Sequence, residues 1–145
     1  MSEKHRQEET KTYENIVYAC FGCLSNTGIT AGMGSLEVVK ELGLDKVGVG
    51  CLAALPLSLA PVIAKTKASK KIITVDGCPN ECSRKIVEAA GFKPAKNFML
   101  VRDISMNKKA LHEDIGQNLK PVMDYVSPED VQKTKNLIIE EIQIS

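Results

Sequence analysis

The sequence predicts a three-layer α/β domain with a mostly parallel sheet of about four strands. Short runs of consecutive apolar residues alternate along the chain with segments in which apolar residues recur every three or four positions, the pattern of βαβ units. The apolar runs are continuous rather than alternating, which is typical of strands that are covered by helices on both faces. We expect right-handed crossovers and the strand order 2-1-3-4.

The strands are expected at residues 15–22, 46–54, 70–77 and 96–104. The third is the clearest, because Ile72–Val75 consists entirely of β-formers. Helices are expected between them at residues 27–42, 57–68 and 79–90. This order of elements predicts a domain of the Rossmann or flavodoxin type.

The helix ends carry recognisable signals. Gly43 and Gly91 are plausible stops for the first and third helices. Ser58 is expected to cap the second helix, and Pro79 suits the first position of the third. A last helix is expected after Ser127, while the segment 105–127 gives no clear pattern.

The chain of 145 residues is interpreted as a tail followed by one domain. Residues 1–13 are charged and almost without apolar side chains, which predicts a disordered tail. Residues 14–145 are then a single α/β metal-binding domain. A chain of this length buries about two-thirds of its unfolded surface and needs no disulfides to fold.

Composition argues against several partners. The net charge of +1 and an aromatic content of 4% without Trp do not favour nucleic acid. No apolar run is long enough to predict a membrane-spanning helix, and the first residues contain no apolar signal-peptide region. We therefore expect a cytoplasmic protein with reduced thiols. No protein partner is specified.

Five cysteines are the most informative residues, since each follows a predicted strand. Cys20 and Cys23 follow the apolar run of the first strand, Cys51 follows that of the second, and Cys78 and Cys82 follow that of the third. The carboxyl ends of parallel strands meet at one edge of a sheet, where ligands bind in open α/β folds. The sequence thus predicts one cysteine-lined site in which all five thiols take part as candidate metal ligands.

The spacing within the clusters suits thiolate chemistry. Cys20 and Cys23 form a Cys-x-x-Cys pair, and Cys78 and Cys82 are expected to share one face at the start of a helix, whose dipole favours thiolate. Four thiolates are the ligand set of a structural zinc ion, and the same ligands also serve an iron–sulfur cluster. We expect Cys51 to be the spare thiol, because it has no chelating neighbour.

That surplus thiol keeps a third hypothesis open, a redox or sulfur-relay protein that uses clustered low-pKa cysteines. A weaker signal is Gly48–Ala53, which matches the dinucleotide motif G-x-G-x-x-A with Asp76 further on, but its glycines fall inside a predicted strand. His5 and His112 lie outside the cysteine clusters, so no Cys/His catalytic pair is predicted.

Three motifs in order carry a family resemblance: Cys20-Phe21-Gly22-Cys23, then Cys51, then Asp76-Gly77-Cys78-Pro79 with Cys82. Over residues 14–104 the chain resembles the DGC family, which is named after its Asp-Gly-Cys motif and is regarded as zinc-binding. Leu24 departs from the family pattern, in which Ser often follows the first motif. The resemblance implies a zinc site in an α/β domain and no defined reaction, so enzymatic activity stays open.

Overall fold

A computed structural model of the protein describes residues 11–22 and 24–144. Its four strands are β1 (Asn15–Ala19), β2 (Val47–Val49), β3 (Lys71–Asp76) and β4 (Lys96–Met99). They form one all-parallel sheet in the order β2-β1-β3-β4. The predicted α/β class, the parallel sheet and the strand order are confirmed.

The described residues form five α-helices around the sheet: α1 (Asn26–Leu42), α2 (Ala60–Ala68), α3 (Cys82–Ala89), the short α4 (Leu100–Asp103) and α5 (Pro128–Gln143). Alternate residues of β1 point to opposite layers. Val17 packs in a cluster with Val38 of α1 and Ile138 of α5. Ile16 packs in a second cluster with Val87 of α3 and residues of α2. The sheet is therefore covered on both faces, which explains its continuously apolar strands.

The caps of α1 and α5 follow the sequence signals. Ser25 Oγ accepts the amide hydrogen of Gly28 at 3.0 Å, and Gly43 ends α1 with a φ of 93°. Ser127 caps α5, as predicted, by accepting from the amide of Asp130 at 3.4 Å. The last helix packs lengthwise on α1, where a Cβ on Gly34 would lie 2.5 Å from the side chain of Thr134.

Three element predictions are corrected. The strand expected at 46–54 covers only Val47–Val49, because Leu52–Ala54 turns into a short 3-10 helix. Ser58 does not cap α2: its φ is 54°, and the helix begins after Leu59. The strand expected at 96–104 ends at Met99, where Asp103 accepts the amide hydrogen of Met99 at 2.8 Å and closes the short turn of α4.

No element is predicted for the expected tail of residues 1–13 or for the segment 105–127, and the structure describes contacts in the first and short helices in the second. Of the expected tail, residues 1–10 lie outside the described part. Thr12 donates to the carbonyl of Lys65 at 3.1 Å, and the ring of Tyr13 covers Gly48. Within the segment 105–127, two 3-10 helices form at Leu111–Asp114 and Val122–Tyr125. Among the described residues, no helix is long and apolar enough to cross a membrane.

Candidate metal centre at the carboxyl edge of the sheet

Three cysteines from two separate loops line one cavity of about 70 Å³. Cys20 follows β1, Cys78 follows β3, and Cys82 is the first residue of α3. Because β1 and β3 are neighbours in the sheet, their carboxyl ends bring the two loops side by side. These three thiols therefore lie at the carboxyl edge of the sheet, as the sequence predicts.

Backbone pairing continues one residue past β1 and fixes Cys20. Its amide donates to the carbonyl of Val75 on β3 at 3.1 Å. The chain then turns at Gly22, whose φ of 34° suits glycine, and a Cβ at that position would lie 3.4 Å from the Cys20 sulfur. The thiol of Cys20 is half-buried as a result.

Asp76, the last residue of β3, fastens α3 to the end of the strand. Its carboxylate is 1% exposed and accepts backbone hydrogen bonds from Ser83 at 2.7 Å and from Arg84 at 3.2 Å. Burial raises the pKa of Asp76, and the two amides oppose that shift. The first turn of α3, and Cys82 with it, is therefore held by a side chain of the sheet.

Glycines allow the cysteine loops to contact the start of α1. A Cβ on Gly77 would lie 2.7 Å from the amide nitrogen of Gly28, and a Cβ on Gly28 would lie 2.1 Å from the carbonyl oxygen of Phe21. Backbone therefore meets backbone here without an intervening side chain. In consequence Ser25, Thr27 and Gly28 line the cavity with the positive end of the α1 dipole.

The segment between Cys78 and Cys82 corrects a sequence prediction. Pro79 does not begin α3, which starts three residues later at Cys82. Glu81 precedes the helix in the left-handed conformation, with φ 50° and ψ 49°. Cys78 and Cys82 therefore do not share a helix face, although both line the cavity.

An ion pair and an amide hold Glu81 in that conformation. Its carboxylate accepts from Arg84 Nε at 3.1 Å and from the side-chain amide of Asn97 on β4. A non-glycine residue in left-handed backbone costs of order 1 kcal/mol or more. Leu24, next to the other cysteine loop, has a similar φ of 50°. Such residues often cluster at functional sites, where the surrounding structure enforces them.

The pKa of the Cys20 thiol is raised, whereas the redox hypothesis expects cysteines with lowered pKa values. Burial raises the pKa of the Cys20 thiol, the nearby Cys82 thiol and Asp76 raise it further, and the Gly22 amide acts in the opposite direction. An anionic sulfur at this position needs a compensating positive charge. The α1 terminus and Lys108, which also lines the cavity, are the positive groups at hand.

Of the remaining two cysteines, one is described and lies away from this cavity. Cys51 is exposed and does not line it. Cys23 lies outside the described residues. Among the residues that the structure describes, no three His, Cys, Asp or Glu side chains are grouped closely enough to hold a metal ion. Of the four described cysteines of the expected five-thiol site, three therefore line one cavity and Cys51 does not.

Lys108 also lines the cavity, although the sequence does not predict it as a site residue. It lies in the segment 105–127, and Asn26 brings that segment to the start of α1. The Asn26 side chain donates to the carbonyl of Asn107 at 2.8 Å and accepts from the amide of Lys109 at 2.6 Å. No local pattern around Lys108 signals this long-range contact.

Packing accounts for the residues of the weak dinucleotide motif. A Cβ on Gly48 would overlap the ring of Tyr13, and one on Gly50 would overlap the ring of Tyr18. The carboxylate of Asp76 is occupied by the amides of α3. His112 is exposed and lines a different, apolar cavity, while His5 lies outside the described residues.

The fold and the position of the cysteines define a parallel α/β protein with cysteines at the carboxyl ends of its strands. The chain belongs to the DGC domain family, whose model matches residues 16–142. The resemblance was expected only over residues 14–104, and this bound is wrong, because the match includes nearly all of the last forty residues. No match was found among curated proteins or among solved structures.

Proposed function

We propose that the protein binds one zinc ion through the thiolates of Cys20, Cys78 and Cys82, with Cys23 as the fourth ligand. The observation that carries this proposal is the convergence of three cysteines from two loops on one cavity. Membership of the DGC family is consistent with a metal-binding role. Cys51 is left as the spare thiol, because it is exposed and away from the cavity.

The residues of the cavity fit a zinc ion in their chemistry and in their volume, but their sulfurs must move closer together to coordinate it, because no three ligating side chains of the described residues are grouped closely enough to hold an ion. Thiolates are among the preferred ligands of zinc. A cavity of about 70 Å³ exceeds the roughly 10–15 Å³ that a single water needs, so an ion has room. Four thiolates around a dication leave an excess of negative charge, which the start of α1 and Lys108 would offset.

A closed four-thiolate site has no open position for a substrate, so the bound ion would serve structure or metal handling rather than Lewis-acid catalysis. The half-buried Cys20 and Cys78 and the exposed Cys82 allow an ion to enter from solvent. Reduced thiols are required, which suits the expected cytoplasmic location.

The test is metal and sulfide analysis of protein produced with both zinc and iron and purified anaerobically under reducing conditions. We expect one zinc per chain and a colourless protein. Cys20→Ser and Cys78→Ser should lose tight binding, and the matched control Cys51→Ser should keep it. Bound iron and sulfide with visible absorption would show that the site holds an iron–sulfur cluster instead of zinc. Absence of both metals would refute the proposal.

A further inference from the structure

Two thiols that line the cavity differ in their accessibility. Cys82 is exposed at the first position of α3, whereas Cys20 is half-buried at the end of β1. Both line the same cavity of about 70 Å³, and the Cys82 thiol is among the groups that raise the pKa of the Cys20 thiol. Both are free thiols in the structure.

This arrangement separates two roles that disulfide exchange requires. An incoming disulfide can reach an exposed sulfur, and a second sulfur must wait nearby to displace the mixed disulfide. The two loops that carry Cys20 and Cys82 approach each other through the side-by-side ends of β1 and β3. Cys51 is also exposed, but it does not line the cavity that Cys20, Cys78 and Cys82 share.

We propose that Cys20 and Cys82 form a reversible dithiol–disulfide couple that exchanges with small-molecule disulfides, with Cys82 as the attacking thiol and Cys20 as the resolving thiol. This activity does not depend on metal binding. One consequence does rest on the proposed zinc site: the disulfide removes two ligands, so oxidation releases the ion.

The chemistry balances in two displacements. The Cys82 thiol loses its proton to solvent, and its sulfur attacks one sulfur of the small disulfide; the S–S bond breaks, and one thiolate leaves and takes up a proton. The Cys20 sulfur, after losing its own proton, then attacks the Cys82 sulfur and expels the second small thiolate. The protein dithiol is oxidised by two electrons, and the small disulfide is reduced to two thiols.

The experiment uses the full chain, reduced and freed of metal, with oxidised glutathione as the probe. Products are quenched by alkylation, and the linked cysteines are located by fragmentation mass spectrometry. We expect one intramolecular bond between Cys20 and Cys82. Cys20→Ser should accumulate glutathione on Cys82, whereas Cys82→Ser should leave the half-buried Cys20 largely unmodified. Cys51→Ser should form the same intramolecular bond as the parent.

An intramolecular bond that joins Cys78 or Cys23 instead would overturn the assignment, as would equal glutathione labelling of Cys20 and Cys82 in the two single variants. Circular dichroism of each variant checks that it is folded. The zinc proposal fails separately, through metal analysis of the reduced protein. A reduced protein without zinc that still forms the Cys20–Cys82 bond leaves the couple intact, and zinc retained after full oxidation contradicts the release.

Discussion

The carboxylate of Asp76, at the end of β3, accepts the backbone hydrogen of Ser83 in the first turn of α3 at 2.7 Å. A side chain of the sheet therefore caps the helix that carries Cys82, and it does so from a position two residues before Cys78. The buried contact between Asp76 and Ser83 thereby fixes the segment that carries Cys78 and Cys82 to the sheet, and the geometry of that segment depends on it.

Replacing Asp76 by Ala should destabilise the protein by about 1–3 kcal/mol, because two amides of α3 lose their buried acceptor. Asp76→Asn should cost less, since its amide oxygen still accepts one hydrogen bond. Denaturant unfolding measures both changes. The matched control is Asp124→Ala at an exposed position, which should stay near the parent; an equal loss in that control would refute the capping role.

Gly77→Ala should damage both stability and zinc affinity, because the new Cβ would overlap the backbone of α1 at 2.7 Å. Overpacking of this kind costs about 1–3 kcal/mol. Gly91→Ala is the comparison: it is strained by a φ of 91° but has no atoms within 4 Å and lies outside the cavity. It should lose stability and retain zinc affinity. Equal zinc affinities in the two variants would argue against the close approach as a determinant of the site.

Two substitutions of Glu81 distinguish the effect of its left-handed backbone from the effect of its side-chain contacts. Glu81→Ala removes the contacts to Arg84 and Asn97 but keeps a Cβ in left-handed backbone, so zinc affinity should fall. Glu81→Gly also loses the contacts but tolerates a φ of 50°, so it should bind zinc more tightly than the Ala variant. Competition with a chelating dye measures both affinities. Weaker binding by the Gly variant would show that backbone preference is not what matters.

Acid should loosen the segment 111–125. The hydroxyl of Tyr125 donates to Asp114 at 2.7 Å and, together with Lys109, holds the pKa of this carboxyl below its ordinary value. A lowered folded-state pKa gives stability that is present above the unfolded pKa and lost as pH falls through the folded pKa. Hydrogen exchange across that interval should show the segment opening in the parent, with a reduced pH dependence in Asp114→Asn. Equal pH dependence would count against this contact.

Chelation should loosen the cysteine loops and spare the sheet. An α/β domain of this size does not need a metal to fold, unlike a zinc finger. Hydrogen exchange should accelerate at residues 20–28 and 77–83 after metal removal, while the circular-dichroism spectrum stays the same. A global loss of secondary structure would show that the ion is part of the fold itself.

Local patterns were enough to predict the sheet, its strand order and the position of three cysteines. Continuous apolar runs indicate buried parallel strands, and residues that follow such strands must meet at one edge. Ser127 and Gly43 signalled their helix ends correctly because a cap acts on backbone groups within a few residues of itself.

Contacts between distant segments determine the exposure of Cys51, the start of α3 and the position of Lys108. The chain after β2 turns away from the cavity, because Leu52 and Leu55 pack beside Tyr18 on the face covered by α2 and α3, and Cys51 is left exposed. Asp76 places the start of α3 at Cys82 rather than at Pro79, and Asn26 brings Lys108 to the cavity. Each of these contacts joins residues on different elements, and its energy depends on packing that no short stretch of sequence encodes.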